Sequence, residues 1–327
     1  MPMKRRTFLI FLSLFTAGLC VFYLYYISGK TAQNRKDRFL AKKSTRKTVA
    51  LHTRPTVARS SSSVTQLRFA VVTGFSENHF EEAEDMIASV QKFLPSTPIV
   101  VFNLGISEKT LHKLNLFCNV QVRSFDFSAW PSHVKNVGDC AWKPIAVGEV
   151  LREFSLIFYA DASVRLFGDF RPTLYPLLDD VVPVVGESTA PSGPAGSYTH
   201  DGTLAYFHVN RVDFEDVEMF AATYFVAKRT KEVMSNIIEP WVDCALHSDC
   251  ISPVGAHKWP CRAEMQKTNR NAFIGCHRYD QSALTILLFK AFGRERYAHC
   301  LQDSRIRSLV KINRYKTTFY RVQECGA

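Results

Sequence analysis

The apolar residues of this chain change period along its length, and from residue 67 onward short apolar runs alternate with amphipathic segments. Four of these runs predict β-strands, at residues 67–73, 99–103, 120–125 and 156–160. Their length and their content of branched and aromatic residues are typical of buried strands.

The segments between these runs have helical periodicity. Ser76 and Ser107 are suitable N-cap residues for two predicted helices, and Pro144 suits the first turn of a third, which ends near Glu153. Strands separated by helices or long connections predict right-handed crossovers and a mainly parallel sheet. The expected fold class is therefore α/β, with helices flanking the sheet.

The second half of the chain is more mixed. Residues 181–185 and 222–227 predict two further strands, and Thr230 and Asp280 are each expected to cap a helix. Residues 244–276 carry four cysteines and little apolar periodicity, which predicts a loop stapled by disulfides.

The N-terminus carries a candidate membrane span. Residues 7–27 are a run of 21 uncharged, mostly apolar residues. A helix of that length is roughly 30 Å long, enough to cross a bilayer core. A cleaved signal peptide is the alternative, but its apolar region is usually about 7–15 residues long. We therefore expect an uncleaved signal anchor, with residues 1–6 as a cytoplasmic tail.

Residues 28–66 are basic and rich in Ser and Thr, which predicts a flexible stem. Residues 1–66 hold thirteen Lys or Arg and one acidic residue, Asp37, for a net charge of +12. Since the whole chain carries +11, residues 67–327 carry about −1. The charge therefore indicates no basic groove in the folded domain and does not favour nucleic-acid binding.

Charge and cysteine content disagree about the side of the membrane on which residues 67–327 lie. More positive charges follow the span than precede it, which by itself favours a cytosolic domain. Eight of the nine cysteines fall in the predicted domain, and an even number of that size favours an oxidising lumen. We predict a single-pass type II Golgi membrane protein with its C-terminal domain in the lumen. At least three disulfides are expected, and the bonded residues should include Cys244, Cys250, Cys261 and Cys276.

Two segments follow predicted parallel strands, at the edge where open α/β sheets bind ligands. Thr73, Gly74 and Phe75 follow the first strand, and Asp161 and Ser163 follow the fourth. A carboxylate in this position suits a divalent ion that bridges two phosphates. It also suits an Asp that only caps the next turn, so the pattern alone leaves both interpretations open.

The order and spacing of five segments resembles that of a GT-A glycosyltransferase. The segments are the first strand, the AWKP helix start at 141–144, LIFYADASVRLF at 156–167, MFAATYFVAKRTKEVMSNIIEPW at 219–241 and HRYDQSALTILL at 277–288. The WKP and RYDQS patterns are also similar to those of a family of invertebrate type II membrane proteins that is abundant in nematodes. The resemblance covers about residues 67–290. It implies a GT-A-like, Rossmann-type mixed sheet and a nucleotide-diphosphate sugar as donor.

This sequence departs from the GT-A pattern at Ser163, where the resemblance predicts a second Asp. A hydroxyl is a weaker ligand than a carboxylate for Mn²⁺ or Mg²⁺, so the departure weakens the expectation of a metal at Asp161. Lys143 or Arg165 is the alternative group for neutralising the leaving diphosphate. His277 and His299 are candidate further ligands, although a lone His is more often structural.

The resemblance places Asp280 and Gln281 beside the reacting sugar or the acceptor. Sugar transfer needs a base for the acceptor hydroxyl or a group that stabilises an oxocarbenium-like centre, and Asp280 suits either role. Asp280 is also a good N-cap residue, so a purely structural role stays open. Trp259 lies in the predicted stapled loop and is a candidate sugar contact, whereas Trp142 and Trp241 are expected in the core.

Two functions follow as hypotheses. The first is a glycosyltransferase that moves a sugar from a nucleotide-sugar donor to a glycan, glycoprotein or glycolipid acceptor. In this case Thr73, Gly74 and Phe75 border the nucleotide, and Lys143, Asp161 and Ser163 meet the diphosphate. The second is a non-catalytic carbohydrate-binding or receptor-like protein on the same fold, which Ser163 favours.

Overall fold

The central feature of the domain is a six-stranded sheet with the order β3-β2-β1-β4-β7-β6. Its strands are β1 Phe69–Phe75, β2 Ile99–Asn103, β3 Val120–Ser124, β4 Leu156–Ala160, β6 Val184–Ser188 and β7 Phe220–Lys228. The first four strands pair in parallel, and β7 runs antiparallel to both β4 and β6. The expected mixed, mainly parallel sheet flanked by helices is confirmed.

The computed structural model describes residues 68–188, 193–267, 269, 272–301, 304–317 and 319–325. The predicted cytoplasmic tail, membrane span and stem, at residues 1–66, lie outside the described residues. Within the described ranges, no helix combines the length and apolarity that crossing a membrane requires.

Helices cover the sheet. They are α1 Phe80–Phe93, α2 Glu108–Asn115, α3 Trp142–Glu153, α4 Arg171–Asp180, α5 Asp201–Tyr206, α6 Lys231–Val233, α7 Glu239–Leu246, α8 Ser248–Ile251, α9 Tyr279–Cys300 and α10 Ser304–Leu309. A π-helical turn, Met234–Ile238, joins α6 to α7, and α9 breaks at Gly293. Short 3₁₀ turns lie at Glu77–His79, Phe127–Ala129, Ser132–Lys135, Val137–Asp139, Ala195–Tyr198, Arg211–Phe214 and Ala263–Lys267.

Local sequence explains several of these helix boundaries. The Ser107 side chain accepts a hydrogen bond from the Thr110 amide, and the Thr230 side chain accepts one from the Val233 amide, as predicted N-caps should. The Ser76 side chain makes no such bond, and a 3₁₀ turn separates it from α1. That predicted cap is therefore wrong in detail, although the helix exists.

The core lies on both faces of the sheet and is rich in aromatic rings. The rings of Tyr159 and Phe225 stack with centroids 5.4 Å apart, and Phe225 meets Trp241 at 6.0 Å. Trp241 and Trp142 are buried, which confirms that both belong to the core. The predicted burial of β4 is also confirmed, since all five of its residues are buried.

Three disulfides staple the described part of the chain: Cys118–Cys325, Cys244–Cys250 and Cys261–Cys276. The prediction of at least three bonds, with these four cysteines of residues 244–276 among them, is confirmed. Cys140 and Cys300 are free. The segment 244–276 is not all loop, however, because its first disulfide joins the end of α7 to α8.

A second, two-stranded sheet holds the C-terminal segment against the edge of the main sheet that follows β4. Its strands, β5 Val164–Leu166 and β8 Val310–Ile312, pair antiparallel. The Asn313 amide donates to the Ser163 carbonyl at 2.7 Å. The turn that carries Asp161 and Ser163 is therefore fixed by residues from the other end of the chain.

Candidate active site

A buried ammonium group connects the two carboxylates that the sequence singled out. Lys143 Nζ, from the first turn of α3, lies 3.2 Å from Asp161 Oδ1 and 2.9 Å from Asp280 Oδ2. It also donates a hydrogen bond to the Ala222 carbonyl at 3.0 Å, near the start of β7. Three protein oxygen atoms therefore surround the ammonium, one through a hydrogen bond and two through ion pairs. We call Lys143, Asp161 and Asp280 the ion triad.

Asp161 lies directly after β4 and forms the open side of the ion triad. Its side chain is 35% exposed, whereas those of the other two members are buried. The Tyr159 hydroxyl donates to Asp161 Oδ1 at 2.7 Å. The carboxylate is therefore bound to a tyrosine and a lysine and does not cap the following turn. The interpretation of Asp161 as a simple turn cap is not supported.

Asp280 lies inside the first turn of α9 and is not its N-cap. The N-cap is Arg278, whose side chain makes no capping bond, so the predicted capping role of Asp280 is wrong. The Asp280 carbonyl accepts a hydrogen bond from Trp241 Nε1 at 2.9 Å, which ties this turn to the core. The Lys143 contact is an ion pair without hydrogen-bond geometry, because Asp280 Oδ2 has no hydrogen-bond partner among the described residues.

Burial and charge act in opposite directions on these groups. Burial raises the pKa of Asp280, and the Lys143 ammonium reduces this rise without cancelling it. Burial alone would lower the pKa of Lys143, but the charges of Asp161 and Asp280 raise it well above its ordinary value. Burial, followed by the charge of Asp161, raises the pKa of Tyr159 well above its usual range. Lys143 is therefore charged and Tyr159 neutral at physiological pH.

Thr73, Gly74 and Phe75 lie within β1 rather than after it, because the strand extends to Phe75. Val72 aligns with Tyr159 across the parallel pair, so Thr73 and Gly74 lie beside the end of β4 that precedes Asp161. All three are buried, and Thr73 Oγ1 has no hydrogen-bond partner among the described residues. The structure thus brings residues 73–75 to the expected edge of the main sheet, but their side chains are buried.

Gly74 has a clear packing role. A Cβ atom at this position would lie 2.6 Å from the Trp142 ring, which is closer than real contacts allow. Trp142 precedes Lys143, so the absence of a side chain at Gly74 lets α3 start against the sheet and directs the lysine toward β4.

The two remaining predicted residues lie near the ion triad without joining it. Ser163 is buried in the turn between β4 and β5. Gln281 follows Asp280 in α9 and is half-buried, and its side-chain amide has no hydrogen-bond partner among the described residues.

The residues present do not fit a divalent metal ion. Asp161 Oδ1 already binds Lys143 and Tyr159, and Ser163 supplies only a hydroxyl. Both ring nitrogens of His277 face protein groups, the His200 amide and the Ile251 carbonyl, and burial lowers its pKa to about 3. No group of three or more His, Cys, Asp or Glu side chains in the described ranges is suited to hold a metal.

Arg165, the alternative cation for a diphosphate, lies inside the protein. Its guanidinium donates to the Ala162 and Val164 carbonyls and pairs with Asp85 at 3.5 Å. It is buried and therefore supports the β4–β5 turn. The structure does not place it at an open surface.

Sequence reasoning missed Tyr159 as part of the site. Residues i and i+2 of a strand project from the same face, and this period was the available signal, because Tyr159 is two residues before Asp161. The contact of the Lys143 ammonium with the Tyr159 ring, 4.9 Å from its centroid, had no such local signal.

Comparison with known proteins gives one family match. A family model described as "Protein of unknown function (DUF1647)" matches residues 46–148. This range includes Lys143 and the first three strands, but neither carboxylate of the ion triad. No curated protein matches the sequence.

Solved structures with a similar chain path are glycosyltransferases. The apo WbbM bifunctional glycosyltransferase has 17% identity and a TM-score of 0.39, over 58% of this chain and 38% of that one. This chain therefore spans about two fifths of the length of WbbM. The galactosyltransferase LgtC, in complex with donor and acceptor sugar analogues, has 12% identity and a TM-score of 0.42, over 75% and 86%. Apo mouse xyloside xylosyltransferase 1 has 12% identity and a TM-score of 0.40, over 72% and 84%. At these values the likenesses establish no activity for this chain.

Proposed function

We propose that this protein is a glycosyltransferase that moves a sugar from a nucleotide-diphosphate donor to a hydroxyl group of a glycan, glycoprotein or glycolipid. The observation that carries the proposal is the ion triad. Two carboxylates meet one buried lysine beyond the carboxyl end of β4, the edge at which open α/β sheets bind ligands. A buried carboxylate held in this way is costly for stability, so its presence favours a chemical role.

Asp280 is the residue to which we assign the reacting centre. Its raised pKa brings a carboxylate closer to the range in which a general base works well at neutral pH. When ionised, it also stabilises positive charge as the donor bond breaks. Lys143 is buried between Asp161 and Asp280 and donates to the Ala222 carbonyl, so we assign it to positioning. Gln281, the next residue of α9, is half-buried and is proposed to contact the sugar or the acceptor.

Asp161 is assigned to the donor. It is the exposed member of the ion triad, and Thr73, Gly74 and Phe75 lie at the same sheet edge, where we place the nucleotide. Ser163 lies in the same turn and contributes at most a hydroxyl to the diphosphate. Since the residues do not fit a metal, the proposal includes no step through one.

We place the domain in the lumen of the Golgi, anchored by residues 7–27 as a single-pass type II protein. The three disulfides support an oxidising compartment.

Two substitutions test the assignment on the full-length chain, purified in detergent with its disulfides intact. Asp161→Asn is expected to weaken nucleotide-sugar binding, because its charge acts on the donor before and during the reaction. Asp280→Asn should leave binding nearly unchanged and abolish turnover, because its charge acts mainly in the transition state. Calorimetric binding and a hydrolysis screen of nucleotide sugars, each with and without Mn²⁺, separate the two roles.

The matched control is Asp216→Asn, since Asp216 is exposed and pairs with Arg294 at the surface. It should behave like the parent protein in both assays. If both site variants also bind and turn over like the parent, the assignment of the ion triad is refuted.

A non-catalytic carbohydrate-binding protein is the second candidate. The observation that favours it is Ser163, together with a donor set that does not fit a metal. This candidate gains if the parent protein binds saccharides but hydrolyses no nucleotide sugar.

A further inference from the structure

Arg278, the N-cap of the helix that carries Asp280, contacts two aromatic rings. Its Cζ atom lies 4.5 Å from the centroid of the Trp259 ring and 5.5 Å from that of Tyr198. Trp259 is 64% exposed, whereas Tyr198 is buried. The guanidinium therefore joins an inner ring to an outer one that has most of its surface in solvent. We call Trp259 and Arg278 the rim pair.

Covalent and backbone bonds hold the rim pair in place. Cys261 follows Trp259 by two residues, Cys276 precedes Arg278 by two, and these cysteines form a disulfide. The Arg278 amide also donates to the Tyr198 carbonyl at 3.2 Å. A disulfide and a backbone hydrogen bond restrain the chain beside these two residues, which lowers the conformational entropy lost when a ligand binds.

The guanidinium of Arg278 has no carboxylate partner among the described residues. Seven other arginines do form ion pairs with Asp or Glu: Arg123, Arg165, Arg171, Arg211, Arg294, Arg296 and Arg307. Arg278 is half-buried, and within the described ranges its guanidinium lies against the ring faces of Trp259 and Tyr198. A planar guanidinium with unused N–H donors is suited to bind an acidic group with two hydrogen bonds.

The position of the rim pair relates it to the proposed chemistry. Arg278 is two residues before Asp280 and forms the N-cap of the same helix. Lys258, next to Trp259, interacts electrostatically with Asp280. A molecule that rests on the rim pair thus has two cations beside it and the proposed reacting centre within one helical turn of Arg278.

We propose that the rim pair is an acceptor subsite for an acidic saccharide. A sugar ring stacks on the exposed Trp259 face, and its carboxylate or sulfate group binds Arg278. This inference rests on the proposed glycosyltransferase function and names the class of its acceptor. Exposed aromatic faces suit sugar rings because one face of a pyranose presents apolar C–H groups that pack against the ring, and the adjacent guanidinium selects a negatively charged sugar over a neutral one.

Calorimetry with the full-length protein at fixed ionic strength tests the subsite. The probes are unsulfated chondroitin tetrasaccharide, its carboxyl-reduced form and a sulfated form. The parent is expected to bind the acidic probes about tenfold or more tightly than the reduced one. Arg278→Gln should remove this preference, and Arg278→Lys should restore only part of it, because lysine lacks the planar fork. Trp259→Ala should weaken all three probes roughly 3- to 10-fold.

Arg294→Gln is the matched control, because Arg294 lies further along α9 and pairs with Asp216. It should leave the preference unchanged. Equal binding of acidic and reduced probes by the parent, or no binding of any probe, overturns the inference. It is also overturned if Arg278→Gln weakens binding of a nucleoside diphosphate instead, which would place Arg278 on the donor.

The two proposals fail separately. Nucleotide-sugar hydrolysis without a preference for acidic saccharides refutes the subsite and leaves the proposed glycosyltransferase function intact. A preference for acidic saccharides without any nucleotide-sugar hydrolysis refutes the proposed glycosyltransferase function, and with it the acceptor role of the rim pair.

Discussion

Replacing Lys143 by methionine removes the only cation of the ion triad and keeps an unbranched apolar side chain that is one atom shorter. The Lys143–Asp280 distance is 2.9 Å, which at an effective dielectric constant of about 20 corresponds to an attraction of about 6 kcal/mol. Desolvation of both groups offsets part of this attraction. Breaking a buried pair by removing one partner costs about 3–5 kcal/mol, and we expect Lys143→Met to lower the free energy of unfolding by that amount.

Replacing Lys143 and replacing Asp280 should have unequal effects on stability, and this difference gives a sharper test than the size of either loss. Because burial raises the pKa of Asp280, its ionised form is a net cost to the fold. We expect Asp280→Asn to change the free energy of unfolding by about 1 kcal/mol or less, in either direction. The double variant should regain about 2 kcal/mol or more of the loss caused by Lys143→Met, since no uncompensated buried charge is then left at position 280.

The sign of the pH dependence follows from the raised pKa of Lys143. A lysine whose pKa is higher in the folded state contributes stability that is fully present below its unfolded value and is lost as the pH rises through the folded value. The deficit of Lys143→Met should therefore persist up to about pH 10.

Equilibrium unfolding in guanidinium chloride, followed by tryptophan fluorescence with disulfides intact, measures these differences. Lys113→Met is the control, because Lys113 pairs with Glu84 at a partly exposed site, where a loss of about 1 kcal/mol or less is expected. A loss below about 1 kcal/mol for Lys143→Met, or a double variant no more stable than it, would refute the reasoning.

Three further outcomes are expected. Gly74→Ala should destabilise the domain by about 1–3 kcal/mol, because its Cβ meets Trp142 at 2.6 Å, whereas Gly138→Ala meets only ordinary contacts and should be neutral; equal unfolding midpoints would contradict this. Replacing both Cys118 and Cys325 by serine should cost about 3–5 kcal/mol, since their bond closes a loop of 207 residues; a thermal or denaturant midpoint equal to that of the parent would show that the bond is dispensable. Protease added to sealed microsomes should spare the domain until detergent is present, and digestion without detergent would place it in the cytosol.

The sequence predicted the main sheet well because buried parallel strands are nearly continuous apolar runs. β2 and β4 have the predicted bounds, and β1 is shifted by two residues. In contrast, β5 and β8 were not predicted, because each is three residues long and their partner strand lies far away in sequence. Local patterns carry no signal for such pairings.

The candidate site was predicted in parts and not as an arrangement. Lys143, Asp161 and Asp280 were each identified from strand ends, helix starts and a family resemblance. The contact of both carboxylates with one ammonium group depends on the tertiary structure, and no spacing along the chain predicts it. The capping role expected of Asp280 failed for a local reason, since the N-cap is Arg278 and the helix begins at Tyr279, two residues earlier than the sequence indicated.

The disulfide between Cys118 and Cys325 also has a consequence for biosynthesis. At about 5–20 residues per second, roughly 10–40 s of translation separate the two cysteines. The other two disulfides span only 6 and 15 residues and can form on the nascent chain. Cys118 must meanwhile remain a thiol while later cysteines emerge, so rapid oxidation favours wrong pairs. The Cys118–Cys325 bond therefore forms only after Cys325 has been synthesised. The yield of native protein should depend on disulfide isomerase activity in the host.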